Sequence, residues 1–259
     1  MRRLLLLLAV LLLAASAVLA EDAPLTLRTA TSAEEVEQFL LLPEGDDVAP
    51  VKRGYIRYIA QNLKRDPAYR KAYWLGGEEG SVLDLTLTQR YGHEFDYHIG
   101  VMCTRASYSM ILSYFGIDMS PGKMSEITGS RNLYEPYAEI SEMVGLEFYD
   151  LGRRHFDEMV ADYLNDDSYS PVYLYFKKPN GSNHSVIIVG YMPDTGRYLV
   201  VDSNPYFAFG EPYRVYFMSF NLKRTRVINS TFADELVGSV LLEVWQWRLP
   251  PEDETTVAE

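Results

Sequence analysis

The chain has 259 residues, of which 47% are hydrophobic and 13% aromatic, and this apolar content is ample for a packed core. Acidic residues outnumber basic ones by 36 to 24, which gives a net charge of −12. A surface of that sign repels the phosphate backbone of nucleic acids and anionic lipid, so the composition favours a globular protein and argues against a nucleic-acid partner.

The first twenty residues predict a secretory signal peptide. They begin with Arg2 and Arg3, continue as an apolar run, and end in small residues at Val18 and Ala20. The run is broken by alanine and serine and is followed by Glu21, which disfavours a membrane-spanning helix. We therefore expect cleavage near Ala20 and a secreted or periplasmic protein without a membrane anchor.

Residues 21–90 are predicted to form an N-terminal helical extension or cap. Ser32 and Glu35 have the spacing of a capping box, which predicts a first helix there. Apolar residues at helical spacing predict a second helix over residues 51–63. Three interpretations of this region stay open: a structural cap, a removable segment over an active site, or an extension of the domain.

Cys103 is the single cysteine of the chain, so no internal disulfide can form. A free cysteine is most often a small buried core residue, and the other interpretation is a reactive thiol. Apolar residues recur at helical spacing over 106–114, and Gly116 is suited to end that helix. The pattern therefore places Cys103 at a helix start, where the helix dipole stabilises a thiolate.

The rest of the chain changes from helices to strands. Further helices are predicted over Pro121–Ile127, Tyr137–Val144 and Phe156–Leu164. Strands are predicted for the segments PVYLYF, HSVIIVGY, RYLVVD, YRVYFMSF and SVLLEVWQW, in which Trp245 and Trp247 alternate as packing requires. Helices followed by strands indicate an α+β fold with an antiparallel sheet over residues 91–248, and residues 249–259 are predicted to be an acidic tail.

His184 and Asp202 stand at complementary ends of two predicted strands. His184 opens one strand, Asp202 closes the next, and the turn MPDTGR joins them. Antiparallel pairing would bring the start of the first strand beside the end of the second. A cysteine nucleophile needs an imidazole as proton acceptor and a third group that orients the ring, and Cys103, His184 and Asp202 supply those groups.

The segments CTRASYSMILSYFGIDMS and HSVIIVGYMPDTGRYLVVDSNP resemble the papain-like cysteine peptidases related to those that remove double-glycine leader peptides from bacteriocins, the C-thirty-nine-like family. The resemblance implies a papain-like fold and hydrolysis of a peptide or amide bond through a thioester, without a cofactor or metal. It assigns Cys103 as nucleophile, His184 as general base and acid, and Asp202 as the residue that orients the imidazole.

Six residues before the cysteine, papain-like enzymes usually carry a glutamine that donates to the oxyanion, whereas this chain carries Tyr97. A tyrosine hydroxyl can donate a hydrogen bond, so Tyr97 is the oxyanion candidate, together with the backbone N–H of Cys103. Two alternatives to a hydrolase stay open. One is a weak or inactive peptidase-like domain that binds peptides, and the other is an acyl transferase that uses the same thioester.

His93 and His98, with Glu94 and Asp96 between them, offer an alternative metal-site interpretation. Their spacing matches no strong zinc pattern, and they lie in a predicted loop. We therefore expect no metal there, and we expect a peptide or protein substrate as the partner.

Overall fold

The computed structural model describes residues 27, 30–42, 50–59, 103–119, 121, 124, 134–153, 164, 166, 168–204, 213–221, 225–231 and 233–251. Three helices lie in these ranges: α1 (Ala33–Glu37), α2 (Cys103–Tyr114) and α3 (Tyr134–Met143). The strands are β1 (Leu40–Leu41), β2 (Ile56–Arg57), β3 (Glu147–Asp150), β4 (Val172–Lys177), β5 (Asn183–Met192), β6 (Arg197–Val201), β7 (Val215–Asn221), β8 (Arg226–Ser230) and β9 (Val240–Arg248). The predicted leader and all but the first three residues of the predicted tail lie outside the described residues.

Local signals mark the start of α1 and the ends of α2 and α3. At α1 the Ser32 side chain accepts from the Glu35 backbone N–H, and the Glu35 carboxylate accepts from the Ser32 N–H, which completes the predicted capping box. Gly116 and Gly145 follow α2 and α3 with φ angles of 81° and 73°, values that glycine adopts without strain. The predictions for α1, α2 and α3 are therefore confirmed. Of the two other predicted helices, only Pro121, Met124 and Leu164 are described.

The helix predicted over residues 51–63 is wrong for the part that the structure describes. Ile56 and Arg57 form β2, which pairs in parallel with β1, and Gly54 turns the chain with a φ of 84°. The backbone N–H groups of Ile56 and Tyr58 donate to carbonyl oxygens of the segment that contains β1. Pairing with a distant segment satisfies the backbone here, and it outweighs the weak helical spacing of the apolar side chains.

The main sheet is antiparallel, as predicted, and closes on itself. Its strand order is β3-β9-β4-β5-β6-β7-β8, and β8 also pairs with β9 through Arg226 and Val240. Two further backbone bonds join each strand to the residue just before the other, from Val227 N to Ser239 O at 3.0 Å and from Leu241 N to Thr225 O at 2.8 Å. Strands β3 and β8, which the residue pattern did not predict, flank opposite ends of β9.

The closed sheet separates two apolar clusters because side chains alternate along each strand. Ile187 and Val189 of β5 point to the outer face, where they pack with α2 and with the segment around β1 and β2. Val186 and Ile188 point to the inner face, which the sheet itself encloses. Trp245 and Trp247 share the outer face, so their predicted role in packing is confirmed. The resulting architecture is α+β.

Gly190 marks a close approach between β5 and the N-terminal segment. A Cβ atom at this position would lie 2.7 Å from the Ala30 carbonyl oxygen, so the backbone would have to move. We expect Gly190→Ala to lower the free energy of unfolding by about 1–3 kcal/mol, as other overpacked sites do. Urea denaturation measures this change. Arg197→Ala, at the exposed start of β6, is the control and should stay within about 0.5 kcal/mol of the unsubstituted protein. A Gly190→Ala protein as stable as the control would contradict the close approach.

None of the helices among these ranges is long and apolar enough to cross a membrane.

Candidate functional site

The site lies where α2 packs against the start of β5. Cys103 is the first residue of α2, and its residue surface is only 4% exposed. One turn further along the helix, the Ser107 hydroxyl donates to the Ser185 carbonyl oxygen at 3.4 Å. This contact holds the helix start against the residue that follows His184 in β5.

His184 and Asp202 meet through the β5–β6 hairpin. The pairing of Ile187 with Val201 brings the start of β5 beside the end of β6. His184 Nε2 lies 2.8 Å from Asp202 Oδ1, so the contact expected from the hairpin is present. The Cys103 thiol hydrogen-bonds the same imidazole. Because Asp202 engages Nε2, Nδ1 is the ring nitrogen left for the sulfur.

Asp202 is completely buried and is surrounded by donors. The Asn204 backbone N–H donates to Oδ1 at 2.8 Å, and the Tyr216 hydroxyl donates to Oδ2 at 3.0 Å. Arg214 Nη1 lies 3.4 Å from Oδ2. In addition, the Tyr58 hydroxyl donates to the Asp202 carbonyl oxygen at 2.6 Å, which ties the segment after β2 to the site. A buried carboxylate satisfied in this way has a fixed orientation.

The charges of the three site residues support one another. Burial by itself raises the pKa of the Cys103 thiol, but the hydrogen bond and charge of His184, together with hydrogen bonds from Ser185, outweigh it and lower that pKa. Burial lowers the pKa of His184, while the charge and hydrogen bond of Asp202 raise it, and the result is a pKa of about 10. Burial also raises the pKa of Asp202, but His184 and Arg214 lower it below its ordinary value. These directions favour a thiolate, an imidazolium and a carboxylate in contact.

Such an arrangement can perform nucleophilic acyl chemistry. A thiolate attacks a carbonyl carbon, and an adjacent imidazolium protonates the leaving group.

The match to known families agrees with this chemistry, because the model of the Peptidase_C39 like family matches residues 82–223, more than half of the chain. The chain belongs to this family. No curated protein matches the chain. Membership indicates a cysteine peptidase-like domain, and Cys103, His184 and Asp202 all fall inside the matched residues.

Three tyrosines interact electrostatically with the thiol of this peptidase-like domain, and the residue pattern did not single them out. Burial raises the pKa of Tyr137, Tyr173 and Tyr175, and the negative charge of Cys103 raises each of them further. All three therefore stay protonated near neutral pH and keep a hydroxyl proton. Tyr175 is half-buried and accepts a hydrogen bond of 2.7 Å from Asn183 Nδ2.

The residue pattern also did not identify Arg214 and Tyr216 as site residues. Arg214 lies just before β7 and Tyr216 lies within it, and the pairing of Val201 with Val215 brings both beside Asp202. The Arg214 carbonyl oxygen also accepts from the Asp202 backbone N–H at 2.9 Å. The available signal was an arginine near the start of the predicted strand YRVYFMSF, but no neighbouring residue indicates which side chain that arginine contacts.

Tyr97, the predicted oxyanion donor, lies outside the described residues, as do His93 and His98. Among the described residues, no group of three or more histidine, cysteine, aspartate or glutamate side chains could hold a metal ion.

Proposed function

We propose that this chain is an exported papain-like thiol hydrolase that cleaves a peptide or amide bond through a thioester on Cys103. In this proposal residues 91–248 form the papain-like domain, and the leader is removed near Ala20 so that the protein acts in the periplasm or outside the cell. The contact of His184 with both Cys103 and Asp202 is the observation that carries the proposal.

The proposed reaction has two halves. The Cys103 thiolate attacks the substrate carbonyl carbon, and the imidazolium of His184 gives its proton to the departing amine, which leaves a thioester. Water then attacks the thioester while His184 takes a proton from it, and the acid product and the thiolate are released. Asp202 holds the imidazole in the orientation that presents Nδ1 to the sulfur. The backbone N–H of Cys103 and the Tyr97 hydroxyl are the proposed oxyanion donors.

A peptide-binding module is the second candidate, and the burial of Cys103 is the observation that favours it. At 4% exposure, little of the cysteine meets solvent. A site that kept the groove but lost efficient chemistry would bind an extended peptide without acylation. An acyl transferase would share the first half-reaction and pass the acyl group to an amine instead of water.

Acylation by activated substrates tests the proposal. The protein is produced with its leader in a bacterial host, reduced, and mixed with a pool of short peptide p-nitrophenyl esters. We expect the intact mass of a chain that begins at Glu21, increased by the mass of one acyl group. The acyl group is expected on Cys103, because a thiolate at this site attacks an ester carbonyl. Hydroxylamine should release the group, and Cys103→Ser should gain none.

The same experiment separates the candidates. With added glycine amide, a hydrolase should still give mainly the free peptide acid, whereas a transferase would pass the acyl group from Cys103 to the glycine amine and give the peptidyl glycine amide. No acyl adduct on the unsubstituted protein, and no release of p-nitrophenol above the level of Cys103→Ser, would reject the hydrolase and favour the binding module.

A further inference from the structure

The carboxylate of Asp202 is shared between two cations. One oxygen faces His184 at 2.8 Å, and the other faces Arg214 at 3.4 Å. Arg214 is itself nearly buried, with 2% of its side chain exposed, and its Nη2 contacts Glu235 Oε1 at 2.8 Å. Glu235 lies on the short 3-10 turn Asp234–Leu236, and 48% of its side chain is exposed. Alternating charges therefore connect the thiol to the protein surface.

Tyr216 also contacts this chain of charges. The guanidinium of Arg214 lies 5.1 Å from the centre of the Tyr216 ring, and the hydroxyl of that ring donates to the same carboxylate oxygen that Arg214 faces. The chain itself consists of the ionisable groups of Cys103, His184, Asp202, Arg214 and Glu235, with Tyr216 beside Asp202. The hydroxyl groups of Tyr137, Tyr173 and Tyr175 act on its thiol end.

Catalysis needs an imidazolium that can release its proton to the leaving group. A fully buried carboxylate with His184 as its only partner would hold that proton firmly, because the attraction between two close charges is strong where water is excluded. An imidazolium held in this way is a weak acid and a poor proton donor. A second cation on the same carboxylate weakens that hold, since it offsets part of the negative charge.

We propose that Arg214, anchored by Glu235, is a positioning residue that shares the charge of Asp202 and thereby limits how firmly Asp202 holds the proton of His184. The catalytic benefit of this role rests on the proposed function. The sharing of charge does not, because it is a property of the folded protein. Glu235 has the opposite effect to Arg214, since its carboxylate offsets part of the guanidinium charge.

The role predicts opposite changes for two neutral substitutions. Arg214→Met removes the second cation, so Asp202 acts on His184 alone and the pKa of His184 should rise by about half a unit or more. Glu235→Gln leaves Arg214 uncompensated, so the pKa of His184 should fall by roughly half a unit. Arg214→Lys keeps the charge and should restore most of the unsubstituted value.

Histidine NMR measures these changes without a substrate. The protein with 13C-labelled histidine contains four histidines, and a His184→Gln sample identifies the His184 signal. Each variant is titrated from mildly acidic to alkaline pH. Asp234→Asn is the matched control, because it removes the same charge from the neighbouring exposed residue of the same turn, and it should leave the His184 titration unchanged.

The outcomes separate this role from a merely structural one and from the proposed function. A loss of packing alone would not shift His184 in opposite directions for Arg214→Met and Glu235→Gln. Shifts of the same sign, or a Glu235→Gln titration identical to that of Asp234→Asn, would overturn the proposal. If Arg214→Met does not fold, comparing the His184 titration of Glu235→Gln with that of Asp234→Asn still tests the proposal. Failure of the acylation experiment would reject the hydrolase and leave the charge sharing intact.

Discussion

Replacing His184 with alanine slows alkylation of Cys103 by iodoacetamide about a hundredfold near pH 6. In the unsubstituted protein His184 lowers the pKa of the thiol, so a larger share of the thiol is ionised at this pH than in an ordinary cysteine. An ordinary thiol with a pKa of about 8.5 is less than about 1% ionised there. Without His184, burial raises the pKa of the thiol further. The rate of mass gain in intact-mass spectra, recorded against pH, measures the effect.

Two controls separate charge from access. At about pH 10 the alanine variant should label much faster than near pH 6, because alkali then ionises a larger share of the thiol without help from a base. Ser107→Ala changes the packing between α2 and β5 one turn from Cys103 and removes no charge, so it should label within about twofold of the unsubstituted protein. Rapid labelling of the His184→Ala protein near pH 6 would show that the histidine does not activate the thiol.

Replacing Asp202 with alanine lowers the free energy of unfolding by about 3–5 kcal/mol at neutral pH. The substitution leaves the nearly buried Arg214 and His184 without their shared counter-charge, and uncompensated buried charges are costly. It also removes the acceptor for the Tyr216 hydroxyl. Urea denaturation measures the change. Asp194→Ala, in the exposed turn between β5 and β6, is the matched control and should stay within about 0.5 kcal/mol.

The loss caused by Asp202→Ala depends on pH in a known direction. The folded pKa of Asp202 lies below its ordinary value, so its contribution to stability is present above the unfolded pKa of about 3.9 and is lost as the pH falls through the folded pKa. The difference between the unsubstituted and Asp202→Ala proteins should therefore shrink below about pH 4. A difference that is small at neutral pH, or that grows in acid, would contradict a charged Asp202 in the folded protein.

Sequence patterns failed where the fold depends on distant partners. Residues 56–59 show the spacing of a helix, yet all four are buried, and the backbone pairs with the segment around β1. Strand β8 is short, with only Val227 and Ser230 buried, and it is held by β7 and the end of β9. Neither arrangement has a local signature, because the stabilising hydrogen bonds come from residues far along the chain.

Features with local causes follow directly from the residue pattern. The start of α2 at Cys103 follows from an apolar period that Gly116 ends, and the contact of His184 with Asp202 follows from two alternating strands joined by one short turn. The tertiary structure alone decided the surroundings of that contact. Arg214 and Tyr216 reach Asp202 through the register of β6 with β7, and the closed sheet buries the carboxylate so completely that these partners matter. Strand register and sheet closure are set by packing across the whole domain, so no short stretch of residues encodes them.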